Sequence, residues 1–223
     1  MIERTTLFGT ITALSLAVTL SGTARADEAE KFYASASIGA GSLSSATLTF
    51  SDGANTSTAN GQYEASFVGG GALGYHFDNG WTLEGEVMYR RNELDPVNLA
   101  GLGDFNGGDF ASLGLAVSAL YRFDIGSSGK FSGYAGPGLV YFQEIDIDFD
   151  DGGQQEISFE SDDTAWQLKV GGRYDFSERW FLDAAATYLS ASSVRMELPA
   201  DSSQTIDSDY DHLALSLGVG WRF

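Results

Sequence analysis

The chain has 223 residues, no cysteine, and 31 acidic against 12 basic side chains, a net charge of -19. These figures exclude a disulfide scaffold, a nucleic-acid binder, which needs a basic stripe, and a zinc-type site, which wants about three or four Cys or His ligands where the chain has 2 histidines. An apolar share of 43% with 13% aromatics carries too much packing material for a disordered chain.

The first predicted element is a targeting segment over residues 1–26. Arg4 precedes a charge-free stretch from Leu7 to Leu20, and Ser21, Gly22 and Thr23 lead into Ala24-Arg25-Ala26, a pattern that predicts a secretory signal peptide cleaved before Asp27. Its 14-residue apolar core is shorter than the ~20 residues of a spanning helix. Residues 27–223 then form one domain.

Beyond Ala26 the apolar period is two throughout, which predicts strands. A small-residue strand is expected at about Phe32 to Gly41, followed by one with Tyr63, Phe67, Leu73, Tyr75 and Phe77 opposite Glu64, Ser66 and His76. Next, Trp81, Leu83, Val87 and Tyr89 oppose Thr82, Glu84, Glu86 and Arg90, and Leu113, Leu115, Val117, Tyr121 and Phe123 oppose Ser112 and Arg122. A fifth, weaker strand covers about Phe131 to Phe142. Trp166, Leu168, Val170, Tyr174 and Phe176 then oppose Gln167, Lys169 and Arg173, and Trp180, Leu182 and Tyr188 oppose Asp183 and Thr187. The last strand sets Leu213, Leu215, Leu217, Val219, Trp221 and Phe223 against Ala214, Ser216, Gly218, Gly220 and Arg222.

Connections alternate in length. Those at 78–80, 124–130 and 177–179 are short, and those at 45–61, 92–109, 143–163 and 190–211 are long. Short turns on one side and long loops on the other predict an all-β, transmembrane, up-and-down antiparallel barrel of eight strands with its short side periplasmic. The polarity of the faces separates this from a soluble sandwich. Glu64, Glu84, Glu86, Arg90, Arg122, Lys169, Arg173, Asp175, Asp183 and Arg222 all fall opposite the large apolar side chains. Charge facing lipid costs about 2–4 kcal/mol at the midplane, whereas a barrel interior can pair it. Trp81, Trp180 and Trp221 at the short-turn ends and Trp166 with Tyr89 and Tyr188 at the other imply two aromatic girdles.

The terminal Leu213-Ala214-Leu215-Ser216-Leu217-Gly218-Val219-Gly220-Trp221-Arg222-Phe223, with the strand pattern over residues 31–223, resembles the small eight-stranded outer-membrane barrels that include the OmpA transmembrane domain, OmpX and the opacity-type porin-family proteins. The resemblance implies a Gram-negative outer membrane with its lipid and lipopolysaccharide as surroundings. It also implies an assembly machinery that reads Leu217, Val219, Trp221 and Phe223, a monomer, and no cofactor. The role it implies is structural or extracellular interaction of the adhesion type rather than an enzyme. The alternative is a narrow porin-like channel for small solutes or ions.

Three groups of residues invite chemistry. The interior charges suit a structural network, since an eight-stranded barrel is only wide enough for its own side chains. His212 and Ser216 share the inward face, but four residues along a strand separate them by ~13 Å, too far for proton transfer. The long loops carry 19 acids and one base, Arg195. Within them Asp146, Asp148, Asp150 and Asp151 offer a weak divalent-ion site that lacks the glycine and glutamate of a calcium loop. Ile145, Ile147 and Phe149 continue the outward, odd-numbered phase of 131–141, turn at 151–153, and return through Ile157 and Phe159 as a hairpin above the membrane. Val194, Met196 and Leu198 extend the seventh strand in the same way.

Overall fold

In the computed structural model the described residues are 31–150 and 156–223; the expected signal peptide and the turn at 151–153 lie outside them. The strands are β1 (Phe32–Leu43), β2 (Ala46–Ser51), β3 (Thr56–Gly61), β4 (Ala65–His76), β5 (Trp81–Leu94), β6 (Val97–Leu99), β7 (Gly103–Phe105), β8 (Gly107–Ile125), β9 (Phe131–Asp150), β10 (Glu156–Asp175), β11 (Trp180–Leu198) and β12 (Asp201–Arg222). Eight of them form an antiparallel ring in the order β1-β4-β5-β8-β9-β10-β11-β12, closed by β1 on β12 from Tyr33↔Arg222 to Leu43↔His212. Closure leaves no raw edge in the ring, which a wall in lipid requires because hydrocarbon satisfies no backbone polar group.

Alternation along each strand sorts the side chains. Ile38, Leu139, Leu215 and Leu217 are 65–74% exposed on the outer wall, while Glu84, Lys169 and Arg173 on the opposite parity are buried. Trp81 stacks edge-on against Tyr121, and Trp166 against Tyr188, one pair in each girdle. Three residues expected in the second strand, Tyr63, Glu64 and Phe77, lie outside it. β4 begins at Ala65, so Glu64 is exposed and not part of the interior set. Tyr63 makes an isolated bridge to Leu94 and lays its ring 5.9 Å from that of the buried Phe110.

Above the girdle the barrel continues as a crown. β1 and β4 stop near Leu43 and Ala65, and the β2–β3 hairpin takes their place beside β12, pairing Thr49, Phe50 and Ser51 with Asp207, Ile206 and Thr205. In this zone the outer face meets water, so apolar residues gain only by turning inward, by about 1.5–3 kcal/mol for each large side chain buried.

Two bulges make that turn. One extra residue, Gln143, separates Phe142, opposite Gly114, from Glu144, opposite Leu113. Past it Ile145, Ile147 and Phe149 are fully buried, which corrects the expectation that they continue the outward phase. A second bulge between Ala191 and Val194 carries Ser193 at φ 55° and sends Val194 and Met196 inward. These join Leu48, Phe50, Phe110, Phe142, Phe159 and Ile206 in one apolar core.

Candidate functional site

Below that core lies a layer of charge, built from strand parity. β5 turns Glu84, Glu86 and Arg90 inward, β10 supplies Lys169 and Arg173, and β11 supplies Asp183. Lys169 Nζ donates to Glu84 Oε1 at 2.7 Å and Glu86 Oε1 at 2.6 Å. Arg173 donates through Nη2 to Glu84 Oε2 at 3.2 Å and through Nε to Asp183 Oδ2 at 2.9 Å. Gln167 Nε2 adds a bond to Glu86 Oε2 at 3.1 Å. The charges are thus paired and bonded, the condition under which buried ions are tolerated.

Arg173 is also caged by aromatic faces, its Cζ lying 4.2 Å from the Tyr33 ring, 4.7 Å from Phe181 and 5.1 Å from Tyr134. Tyr33 donates its hydroxyl to Glu84, and Tyr134 donates to Asp183 at 2.8 Å. Each ring covers a glycine of a neighbouring strand where a Cβ would collide with it: Tyr33 over Gly74, Phe181 over Gly220, Tyr134 over Gly171. Sequence reasoning missed these three rings. Their signal was available, since each is a large aromatic on the small-residue parity of its strand.

The remaining expected interior charges sit apart. Arg222 Nη2 bonds Asp175 Oδ1 at 2.6 Å near the short-turn mouth, and Arg122 is half-buried there among Arg173, Arg222, Asp124 and Asp175. Arg90 is 1% exposed and forms no ion pair with a described residue. His212 lies inward but bonds Ser66 Oγ at 2.8 Å, not Ser216, and its Nδ1 has no partner among the described residues. A buried Ser–His pair without an acid lacks the third group that orients a catalytic base. His76 Nδ1 meets Thr82 Oγ1 at 2.7 Å.

On the outer face of the crown, Asp109, Asp146 and Asp148 bring carboxylate oxygens within 4.8 Å of one another. Of the four residues expected to gather for a divalent ion, Asp146 and Asp148 do so; Asp150 is exposed at the end of β9, and Asp151 lies outside the described residues. Asp109 enters from β8 because it pairs directly with Asp148. Arg91 Nη2 reaches Asp109 at 2.8 Å. Partial burial, then the repulsion of Asp148, Glu144, Asp109 and Glu160, raises Asp146 to about 7.

The sequence over residues 10–223 matches the family of the outer membrane protein beta-barrel domain, in keeping with the closed antiparallel ring, apolar outer wall and charged lumen. The chain belongs to that family. As a family member it is a protein of the Gram-negative outer membrane, and its four tryptophans, 38–49% exposed, stand on the lipid side of the wall. Its fold is similar to that of the outer membrane protein OprG from Pseudomonas aeruginosa, at a TM-score of 0.65 and 18% identity over 88% of this chain and 97% of that one. Neisserial surface protein A is similar at a TM-score of 0.51 and 20% identity over 86% and 97%. No curated protein matches the sequence.

Proposed function

We propose that this family member is a sealed membrane barrel whose work is done by its extracellular crown, as a structural or surface-interaction protein. One observation carries the reading: the lumen is filled twice in succession, by the Glu84–Lys169–Arg173–Asp183 network and then by the apolar core around Phe142 and Ile147. Two such layers oppose a continuous water path, which a conducting pore needs. The same reading has the chain exported by a signal peptide removed before Asp27 and assembled as a monomer through recognition of Leu217, Val219, Trp221 and Phe223. Its acidic crown then stands among lipopolysaccharide headgroups.

Planar-bilayer recording of the refolded full chain tests this. Electrical silence is expected, and discrete conductance steps altered by reversing the charge of Glu84 would replace this reading with the narrow channel. Assembly is checked by gel mobility of outer-membrane fractions with and without boiling. Removing Phe223 is expected to abolish the heat-dependent shift.

A further inference from the structure

We propose that the lumen binds about two ordered water molecules that link the guanidinium of Arg90 to the carboxylate of Glu86 and so complete the charge layer. The assignment rests on the sealed reading of the barrel only for these waters being trapped. Charge points there first. Lys169 and Arg173 are the cations bonded into the layer, against the carboxylates of Glu84, Glu86 and Asp183, so the bonded set is one positive charge short. The shortfall lies at Glu86, because Lys169 is shared with Glu84 and the other bond to Glu86 comes from the neutral Gln167.

Arg90 is the cation that makes up the difference, but not by direct contact. It lies four residues further along β5, about 13 Å of strand. It is 1% exposed; its Nη2 meets only the Met88 sulfur at 3.6 Å, and its Nε and Nη1 have no partner among the described residues. A guanidinium is always charged, and burying it without hydrogen-bond acceptors is strongly unfavourable. Water between the two groups supplies those acceptors and carries the attraction to Glu86, and a bridging water is nearly as favourable in enthalpy as a direct bond.

The cavity that Arg90 and Glu86 both line decides what joins them. Its volume is about 30 Å³, and a water molecule needs roughly 10–15 Å³, which gives about two. Its charged lining is balanced, with Arg90, Lys169 and Arg173 against Glu84, Glu86 and Asp183, so it favours neither a lone anion nor a lone cation but a neutral molecule that both donates and accepts. Across from these charges stand Ser35, Ser37, Ser216 and Gly218, too short to span the lumen, and the three hydroxyls can hold the outer side of each water. A carboxylate offers about four acceptor sites, of which Lys169 and Gln167 occupy one each at Glu86.

A high-resolution crystal structure of the refolded full chain tests this. Water density is expected in the cavity within hydrogen-bonding distance of Arg90 Nε or Nη1, continuing through one further water to a Glu86 oxygen. A dry cavity, a bound ion in it, or a direct Arg90–Glu86 bond would overturn the proposal. A bridge that belongs to a file of water reaching either mouth would uphold it and overturn the sealed reading instead. Thermal unfolding gives a second readout. Arg90→Met deprives Glu86 of its second cation and Glu86→Gln deprives Arg90 of its carboxylate, so the double variant is expected to melt above Arg90→Met alone. A double variant whose loss is the sum of the two single losses would overturn the link. Should Arg90→Met not assemble, the wild-type map decides alone.

Discussion

At Arg173 two kinds of contact coincide, carboxylates at the edge of the guanidinium and aromatic rings across its faces. This satisfies the ion without water, and it makes the network sensitive to losing one member. Lys169→Met leaves Glu84 and Glu86 facing each other and is expected to cost about 3–5 kcal/mol in denaturant unfolding from micelles; adding Glu84→Gln and Glu86→Gln should recover part of the loss. Asp146 behaves in the opposite sense. Its carboxyl is raised from 3.8 to about 7, so its contribution to stability is present below pH 4 and lost as the pH rises through about 7. Amide exchange in the crown is therefore expected to quicken between pH 5 and pH 8 more in the wild type than in Asp146→Asn, once scaled for intrinsic rates. An identical quickening in both would refute the assignment. At this scale a period of two ties each residue to a face, and Glu84, Glu86, Lys169 and Arg173 are buried on the parity that the alternation assigns to the interior. Glu64 was misplaced because nothing in Tyr63-Glu64-Ala65 marks where pairing begins.

Among the elements, β9 shows a limit of periodicity. Its odd-numbered residues face lipid up to Tyr141 and the core from Ile145, and Gln143 alone makes the difference. Deleting Gln143 is expected to return Ile145, Ile147 and Phe149 to the outer face, leaving a heat-modifiable ring whose crown is cut by added protease. An undiminished crown would show that the ladder can slip elsewhere to compensate. In β11, Ser193 occupies the left-handed region at φ 55°, where a β-branched side chain is strained. Ser193→Val is expected to lower stability by about 1–2 kcal/mol and Ser193→Gly to be tolerated, as read from thermal unfolding. Neither bulge was legible in the sequence. An inserted residue has no composition of its own, and the apolar alternation on each side of Gln143 is intact, so only its partners on β8 and β10 reveal the change of phase.

For the whole molecule, the crown and the ring are separable by design of the pairing. β1 and β4 are already neighbours from Phe32↔Tyr75 to Ser42↔Ala65, so the β2–β3 hairpin is an insertion that the ring does not need. Replacing residues 45–62 by a short turn is expected to preserve the heat shift while exposing the apolar core to hydrophobic dyes; loss of the shift would mean that the crown helps to close the barrel. The eight-stranded architecture was legible from loop alternation and face polarity, whereas the crown's handover from β1 to β2 beside β12 was not, because it depends on where two strands stop. The closing seam has a further consequence. It joins Tyr33 to Arg222, so ring closure pairs strands at a long sequence separation and must await β12. A chain cut short during synthesis does not yield a narrower cylinder; it leaves an open sheet with two unpaired edges and no way to shield them.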